Sequence, residues 1–260
     1  MKLDLDNKKV LVTGSNRGTG NIIAKMFLDQ GADVFFHSNA EGDSQKAVDD
    51  AGAGTALWGD ITCDEGAQLV TSQLRSHADQ LDILVNNYGE ARRGNWDNTT
   101  SDDWIELYNI NTLSIVRLTQ GLLPMMPRGG RIVNLGTIGS TRPNRIMPHY
   151  YAAKGALATL TVSLAKETGP LGVTTNLVSP GLIRTPEVEA SYLEKAKSEG
   201  WGNTFEEAEE QLAENYFPNP LGRFATREEV AGIILFIASP QAAFINGQNI
   251  RVDGGAVDIV

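Results

Sequence analysis

The sequence predicts an α/β fold in which a parallel sheet is covered by helices on both faces. Short apolar runs alternate with amphipathic stretches through the first half of the chain, which is the rhythm of successive βαβ units. The pattern continues through the second half without a linker, an internal repeat or a low-complexity tract. For a chain of 260 residues, this predicts one domain over residues 1–260.

Each element is predicted from its own pattern. Short apolar runs bounded by turn residues predict strands, and apolar residues three and four apart predict helices. The predicted strands are Lys9–Thr13, Ala32–His37, Thr55–Gly59, Leu81–Asn86, Arg131–Leu135, Val173–Val178 and one near 248–252. The predicted helices are Gly18–Gln30, 42–51, 64–79, 101–126, 150–168 and 226–238. Residues 187–217 break the rhythm with polar helical sequence, which we interpret as an excursion from the domain.

Charge and composition exclude several classes of function. The net charge of −10 argues against nucleic acid as a partner, because phosphate binding needs a basic surface. Much of the excess negative charge lies in residues 187–217, which contain nine glutamates and two lysines. Cys63 is the only cysteine, no apolar run could span a bilayer, and the three histidines lack metal-ligand spacing. We therefore expect a cytoplasmic protein that binds no membrane, nucleic acid or metal.

A glycine-rich turn joins the first predicted strand to the first predicted helix. Glycines there permit positive φ and a close approach of the backbone to a phosphate, while the helix N-terminus offers free N–H groups. The turn comprises Gly14, Ser15, Asn16, Arg17, Gly18, Thr19 and Gly20. Its spacing, Gly-x3-Gly-x-Gly, differs from the G-x-G-x-x-G fingerprint. Its position in a βαβ unit predicts a dinucleotide site, although a purely structural glycine turn remains the alternative.

Tyr150 and Lys154 lie four residues apart on a predicted helix, so both side chains project from one face. Lowering a tyrosine pKa from 10 to about 7 takes roughly 4 kcal/mol. A lysine ammonium about 4 Å away supplies on the order of 4 kcal/mol at an effective dielectric of 20. The pair is therefore a candidate acid–base catalyst, and a chance pair on a helix surface is the alternative.

Together these motifs resemble the short-chain dehydrogenase/reductase family, in particular its 3-oxoacyl-[acyl-carrier-protein] reductase-like members. The matching motifs, in chain order, are Thr13-Gly14-x3-Gly18-x-Gly20, Asp60-Ile61, Asn86-Asn87-Tyr88-Gly89, Asn111, Tyr150-x3-Lys154, Asn176-x3-Pro180-Gly181-x3-Thr185 and Val252-Asp253-Gly254-Gly255. The resemblance covers nearly the whole chain. It implies a Rossmann-type doubly wound sheet of about seven strands in an α/β/α sandwich, with NAD(P)-dependent oxidoreduction.

The resemblance also implies where a cofactor would lie. Ser38 and Asn39 stand where an enzyme that uses NAD would carry a carboxylate, and Arg17 resembles the basic residue of members that use NADP, so NADP(H) is favoured over NAD(H). By the same resemblance, Asp60 and Ile61 would meet the adenine and Asn86 the ribose region. The remaining cofactor positions it implies are Tyr88, Gly89, Tyr150, Lys154, Pro180, Gly181, Ile183 and Thr185.

The resemblance assigns roles to four catalytic residues. Tyr150 would donate the proton when a ketone or aldehyde is reduced, and Lys154 would lower its pKa. Thr137 stands thirteen residues before the tyrosine, where the family has serine, and would polarise the substrate oxygen, with Ser140 as a fallback hydroxyl. Asn111 would kink the long helix and complete a proton relay. The expected partner is a small carbonyl or alcohol, and a homotetramer or homodimer is implied.

Some questions stay open at this point. Tyr88 either closes one side of the cofactor pocket or packs over the sheet edge. The arginines that follow the fourth and fifth strands either attract an anionic substrate or are solvated; they are Arg92, Arg93, Arg142 and Arg145. The aromatic residues of 187–217 either form a lid or anchor their own helices. The rival function is a catalytically impaired nucleotide-binding sensor or scaffold, for which Thr137 and Tyr88 are the two arguments.

Overall fold

The computed structural model describes residues 2–258 and confirms the parallel sheet. Seven parallel strands are arranged in the order β3-β2-β1-β4-β5-β6-β7 within these residues. The strands are β1 (Lys9–Val12), β2 (Asp33–Ser38), β3 (Thr55–Trp58), β4 (Ile83–Asn86), β5 (Arg131–Leu135), β6 (Thr174–Pro180) and β7 (Asn249–Val252). The order reverses between β1 and β4, which is where doubly wound sheets open a ligand crevice.

Helices cover both faces of the sheet. Over residues 2–258 they are α1 (Gly18–Asp29), α2 (Glu41–Ala51), α3 (Asp64–His77), α4 (Ser101–Tyr108), α5 (Ser114–Leu122), α6 (Pro148–Thr168), α7 (Pro186–Glu199), α8 (Phe205–Tyr216) and α9 (Arg227–Ala238). None of these helices combines the length and the apolar character needed to cross a lipid bilayer.

The alternation of side chains along β1 divides the core in two. Val10 and Val12 point to one face and pack with residues of α1 and α9, such as Phe27. Leu11 points to the other face and packs with residues of α3 and α5, such as Val70. Because both faces are buried, the strand is a continuous apolar run, as parallel sheets require.

The long helix predicted over 101–126 is interrupted. A π-helical turn, Asn109–Leu113, separates α4 from α5, and a short 3₁₀ turn follows α5. Buried Asn111 donates its side-chain amide to the carbonyl of Leu107 at 3.0 Å and to that of Glu90 at 2.9 Å. Ser114 donates its hydroxyl to the Ile110 carbonyl at 2.6 Å. These side chains compete with the helical hydrogen bonds, which the apolar period could not indicate.

The segment 187–217 forms α7 and α8, which build a small core of their own. Their aromatic rings pack around Phe224: the centroid of Tyr192 lies 5.5 Å from that ring, and the centroid of Phe205 also lies 5.5 Å from it. Leu212 is fully buried in the same cluster. These contacts favour the anchoring interpretation for most of the aromatic residues. Phe217 is the exception, because it also packs against Gly181 at the sheet edge.

The apolar C-terminal tail returns to the body of the chain. Ala256 and Val257 are buried and pack with Ile138, in the turn after β5. Ile259 and Val260, the last two residues of the sequence, lie outside the described residues.

Candidate active site

The candidate site lies along the carboxyl edge of the sheet, beginning at the turn after β1. Gly14 and Gly18 each have φ of +60°, a conformation that side chains disfavour. A Cβ on Gly20 would lie 2.4 Å from the Gly14 carbonyl oxygen, so the first turn of α1 packs directly against the loop. Arg17 is the extended residue before α1, and its side chain is 80% exposed. The backbone is therefore shaped to bring free N–H groups close to a ligand.

His37 holds this turn from the β2 side, a role that the sequence reasoning missed. The backbone N–H of Gly14 donates to His37 Nδ1 at 3.2 Å, and His37 Nε2 lies 3.0 Å from the Gly59 carbonyl oxygen. The Nδ1 atom accepts and Nε2 donates, so the ring is neutral with its proton on Nε2. Burial lowers the pKa of His37 to about 4, which preserves this neutral form. In the sequence, the position of His37 at the end of the second predicted strand was the feature that could have indicated this supporting role.

Asn87 holds the same turn from the β4 side and was also missed. Its side-chain amide donates to the carbonyls of Thr13 and Gly14 at 2.8 and 3.1 Å. The hydroxyl of Thr13 accepts in return from the backbone N–H groups of Asn87 and Tyr88. Asn86, which was predicted to meet the ribose region, does not contact the turn in this way. Its side chain is buried, and its amide donates to the side-chain oxygen of Asn134 at 2.9 Å. The second asparagine of the pair, rather than the first, therefore shapes the groove.

A cavity of about 450 Å³ opens beside the glycine turn, at the end of β2. It is lined by Gly14, Asn16, Arg17, Ser38, Asn39, Asp43, Asn87, Tyr88 and Gly89. The Tyr88 phenol accepts from the Asn39 amide at 3.4 Å, so this ring reaches from the end of β4 to the end of β2 and closes one side of the groove. Ser38 is buried and donates its hydroxyl to the Ala40 carbonyl. Of the two predicted β2-end residues, Asn39 is thus the exposed one.

The two residues predicted to meet the adenine, Asp60 and Ile61, differ in exposure. The Asp60 carboxylate is exposed and accepts from the backbone N–H and the hydroxyl of Thr62 at 2.9 and 2.7 Å. The Ile61 side chain is 1% exposed and belongs to the core, so only its backbone is available to a ligand.

The predicted catalytic side chains converge at the ends of β5 and α6. The Thr137 hydroxyl is close enough to the Tyr150 phenol to lower its pKa. Lys154 Nζ donates to the Leu135 carbonyl at 2.8 Å. Ser140 donates its hydroxyl back to the Thr137 carbonyl at 2.8 Å, so Thr137 and not Ser140 faces Tyr150.

Asn111 and Lys154 meet at Gly89. A Cβ on Gly89 would lie 2.7 Å from Asn111 Oδ1 and 3.3 Å from Lys154 Nζ, so glycine permits this approach. Asn111 Oδ1 accepts from the backbone N–H of Glu90 at 3.1 Å. The asparagine thus fixes the loop after β4 against the helix that it kinks.

Burial controls the charge of both titrating catalytic groups. It raises the pKa of Tyr150, an effect that the hydrogen bond with Thr137 opposes. Burial also lowers the pKa of Lys154 to about 8. The predicted lowering of the Tyr150 pKa by Lys154 stays a prediction. A phenol with a raised pKa is protonated at neutral pH, which suits a proton donor.

The end of β6 and the residues after it form a turn that leads to α7. Gly181 N–H donates to the Val252 carbonyl at 2.9 Å, which fixes the end of β6 against β7. Ile183 pairs with Ala225 in an isolated bridge. Thr185 caps α7, its hydroxyl accepting from the Val188 N–H at 3.2 Å. The predicted cofactor residues from Pro180 to Thr185 thus lie at the end of β6 and in the turn that leads to α7.

Comparison with known proteins identifies the family that shares this arrangement. A family model described as "Enoyl-(Acyl carrier protein) reductase" matches residues 14–257. The 3-oxoacyl-[acyl-carrier-protein] reductase FabG of Vibrio cholerae is 33% identical over 258 residues, covering 97% of this chain and 98% of FabG. The chain belongs to the short-chain dehydrogenase/reductase family. It is therefore an oxidoreductase of the class that interconverts carbonyl compounds and alcohols.

Other members of the family share the full length. The "Uncharacterized oxidoreductase YvrD" of Bacillus subtilis is 33% identical over 262 residues, covering 99% of each chain. The structure of L-sorbose reductase from Gluconobacter frateurii, complexed with NADPH and L-sorbose, superposes with a TM-score of 0.90 at 27% identity and covers 100% of both chains. A short-chain dehydrogenase from Burkholderia cenocepacia in complex with NADP has a TM-score of 0.81 at 29% identity, covering 97% and 98% of the two chains.

The buried histidine predicts a pH dependence of stability. The pKa of His37 is about 4 in the folded protein and about 6.5 in an unfolded chain. Between these values the unfolded chain binds a proton that the folded protein does not. The contribution of His37 is therefore complete above pH 6.5 and decreases as the pH falls towards about 4.

Urea unfolding across this pH window measures the effect. His37→Gln should flatten the slope of unfolding free energy against pH, while exposed His77→Gln, the matched control, should leave it unchanged. Equal slopes in the wild type and His37→Gln would contradict the prediction.

Proposed function

We propose that this chain is an NADP(H)-dependent reductase of small ketones or aldehydes, which also oxidises the corresponding secondary alcohols. The observation that carries the proposal is the approach of the Thr137 hydroxyl to a protonated Tyr150 phenol beside the cofactor groove. The sensor or scaffold alternative is not favoured, because threonine supplies the same hydroxyl as serine at the substrate position. Tyr88 closes one side of the groove and leaves a cavity open beside it.

The residues present fit a dinucleotide with a 2′-phosphate. A Cβ on Gly18 would meet no heavy atom within 4 Å, so the turn is open beside the start of α1, and Arg17 offers an exposed guanidinium. The relatives from Gluconobacter frateurii and Burkholderia cenocepacia were solved with NADPH and NADP, which supports the same cofactor here. NADPH, when bound, supplies the hydride. The residues that would hold it include the glycine turn, Asn39, Tyr88 and Thr185.

The proposed mechanism assigns one task to each catalytic side chain. Thr137 donates a hydrogen bond to the substrate oxygen and orients it towards Tyr150. Tyr150 transfers its phenolic proton to that oxygen during reduction. Lys154, with its pKa near 8, lies one helical turn after Tyr150 and is a proton source, and Asn111 positions the loop that approaches Lys154.

Substitutions at Tyr150 and Thr137 test this mechanism. Tyr150→Phe should lower kcat about a hundredfold to ten-thousandfold, because the general acid is lost. Thr137→Val should also lower kcat strongly, whereas Thr137→Ser should keep most of the activity because its hydroxyl remains. The assay follows NADPH absorbance with a panel of ketones and aldehydes, and thermal unfolding confirms that each variant is folded. Undiminished turnover by Tyr150→Phe would refute the mechanism.

Arg17 is expected to select NADP(H). It forms a 4.0 Å ion pair with Glu187 in which both side chains are exposed, an interaction weak enough for a phosphate to displace. Arg17→Ala should weaken NADPH binding by about tenfold or more, since a charge-assisted hydrogen bond is lost. NADH binding by Arg17→Ala should change little. The NADPH affinity of Arg17→Lys should lie between those of the wild type and Arg17→Ala. Titration by nicotinamide fluorescence gives both constants, and tighter binding of NADH than of NADPH by the wild type would overturn the assignment.

We further propose that residues 1–260 act as one catalytic unit with α7 and α8 beside the substrate cleft. The packing of Phe217 on Gly181 supports this arrangement. Cytoplasmic location is proposed from the composition, with its single, exposed cysteine.

A homotetramer or homodimer is supported by apolar residues exposed on α4 and α6. Ile105 is 66% exposed, Tyr108 41% and Val162 44%. Covering such residues is a usual reason for self-association. Ile105→Glu is therefore expected to lower the mass measured by sedimentation velocity, whereas Leu69→Glu, on α3, should not. A wild-type species of 28.1 kDa at micromolar concentration would refute the oligomer.

A further inference from the structure

Tyr151 is a buried aromatic residue to which the proposed mechanism gives no task. It follows Tyr150 directly on α6 and is 9% exposed. The centroids of the two rings lie 5.5 Å apart, and the ring planes are inclined by 54°. A large ring next to the candidate proton donor affects the site through whatever else it contacts.

The ring of Tyr151 packs against Gly139, in the 3₁₀ turn Ile138–Ser140 that follows Thr137. A Cβ on Gly139 would lie 2.1 Å from Tyr151 Cε1 and 2.2 Å from its Cδ1. A residue with a side chain could therefore not stand at Gly139 unless the ring moved. Gly139 is itself buried, so the turn rests directly on an aromatic ring of α6.

The hydroxyl end of the same ring is tied to the loop before α6. The Asn144 side-chain amide donates to Tyr151 Oη at 3.0 Å, and the Asn144 side-chain oxygen accepts from the Ile146 N–H at 3.0 Å. The ring is thus held at one end by the helix that carries it and at the other end by this loop. A ring held at both ends defines the position of the glycine packed against its edge.

The backbone of Gly139 connects this ring to the Thr137 hydroxyl. The Gly139 N–H donates to Thr137 Oγ1 at 3.2 Å. A threonine hydroxyl has one proton and two lone pairs. Because the N–H occupies one lone pair, the directions open to the hydroxyl proton are restricted, and that proton remains available for donation.

The other hydrogen bonds of the turn do not orient this hydroxyl. Ser140 donates its N–H and its hydroxyl to the Thr137 carbonyl, at 3.1 and 2.8 Å, and both bonds therefore end on a backbone oxygen. Within residues 2–258, Gly139 is the residue whose backbone N–H donates to Thr137 Oγ1. The orientation of the hydroxyl consequently depends on where Gly139 lies.

We infer that Tyr151 is a positioning residue, whose ring holds Gly139 so that the Thr137 hydroxyl keeps its proton directed to the substrate oxygen. The inference rests on the proposed reductase function, in which Thr137 donates to that oxygen. A small displacement of a catalytic group lowers the rate even when every reacting atom is present. Tyr151 acts through Thr137, and the role needs no contact between Tyr151 and the substrate.

Substitutions at Tyr151 in different Thr137 backgrounds test the inference by kcat. Tyr151→Ala should lower kcat about tenfold to a hundredfold, while NADPH binding, measured by nicotinamide fluorescence, stays unchanged. Tyr151→Phe should keep most of the activity, because the ring remains and water can replace its hydroxyl at exposed Asn144. In Thr137→Val, which has no hydroxyl to orient, Tyr151→Ala should change kcat by less than about twofold. In Thr137→Ser the large loss should return.

An equal loss of kcat in the wild type and in Thr137→Val would mean that Tyr151 has only a structural role, and would overturn the inference. Thermal unfolding identifies the variants that are folded. If Tyr151→Ala does not fold, Tyr151→Leu replaces it in every comparison, since leucine fills part of the same volume but has no ring.

Amide hydrogen exchange at Gly139, followed by NMR with labelled glycine, reports the same hydrogen bond without turnover. Tyr151→Ala and Thr137→Val should each speed this exchange about tenfold, because one hydrogen bond is lost, and Tyr151→Phe should not. Leu74→Ala opens a cavity beside α3 and is the control for lost stability, so it should leave the exchange unchanged. An equal effect of Leu74→Ala, or no effect of Tyr151→Ala, would overturn the inference.

The two readouts separate this inference from the proposed function. Turnover that does not respond to Tyr151→Ala refutes the positioning role and leaves the reductase standing. Faster Gly139 exchange in Tyr151→Ala, without turnover of any ketone or aldehyde by the wild type, refutes the reductase and leaves the control of the Thr137 hydroxyl by Tyr151 standing. Unchanged exchange without any turnover refutes both.

Discussion

The geometry of the whole site depends on how the turn after β1 is held between β2 and β4. Its backbone must leave N–H groups free for a ligand, so it cannot be stabilised by regular secondary structure. Hydrogen bonds from neighbouring side chains replace that support: the His37 ring accepts from Gly14 on one side, and the Asn87 amide donates to Thr13 and Gly14 on the other. A neutral imidazole is essential in this arrangement, because a protonated one could not accept. Burial enforces that neutrality.

Burial has a second consequence at the catalytic residues. It opposes ionisation of both Tyr150 and Lys154, which favours a protonated phenol and a lysine that titrates near pH 8. A Coulomb argument from the Tyr-x3-Lys spacing considers only the attraction between the two groups. In the folded protein, Lys154 donates to the Leu135 carbonyl and desolvation is the larger influence on both groups. Burial therefore favours the protonated form of Tyr150, which is the form that can donate a proton.

The glutamates and Lys195 of the α7–α8 segment have different kinds of partner. The sequence shows only a surplus of glutamates, but several of these accept from Arg184 or cap a helix. Lys195 instead lies over the rings of Tyr192 and Tyr216. The net charge of the segment therefore does not specify which partner each charged side chain has.

The sequence by itself determined the parallel sheet, the glycine turn and the Tyr150–Lys154 pair. These features depend on local patterns: apolar period, glycine placement and a four-residue helical spacing. Only the tertiary structure decided that His37 and Asn87 support the turn and that Ile61 and Asn86 point into the core. Each of these depends on contacts between residues far apart in the chain. A buried polar side chain must find its hydrogen-bond partner wherever the fold places one, and a local sequence pattern does not specify that partner.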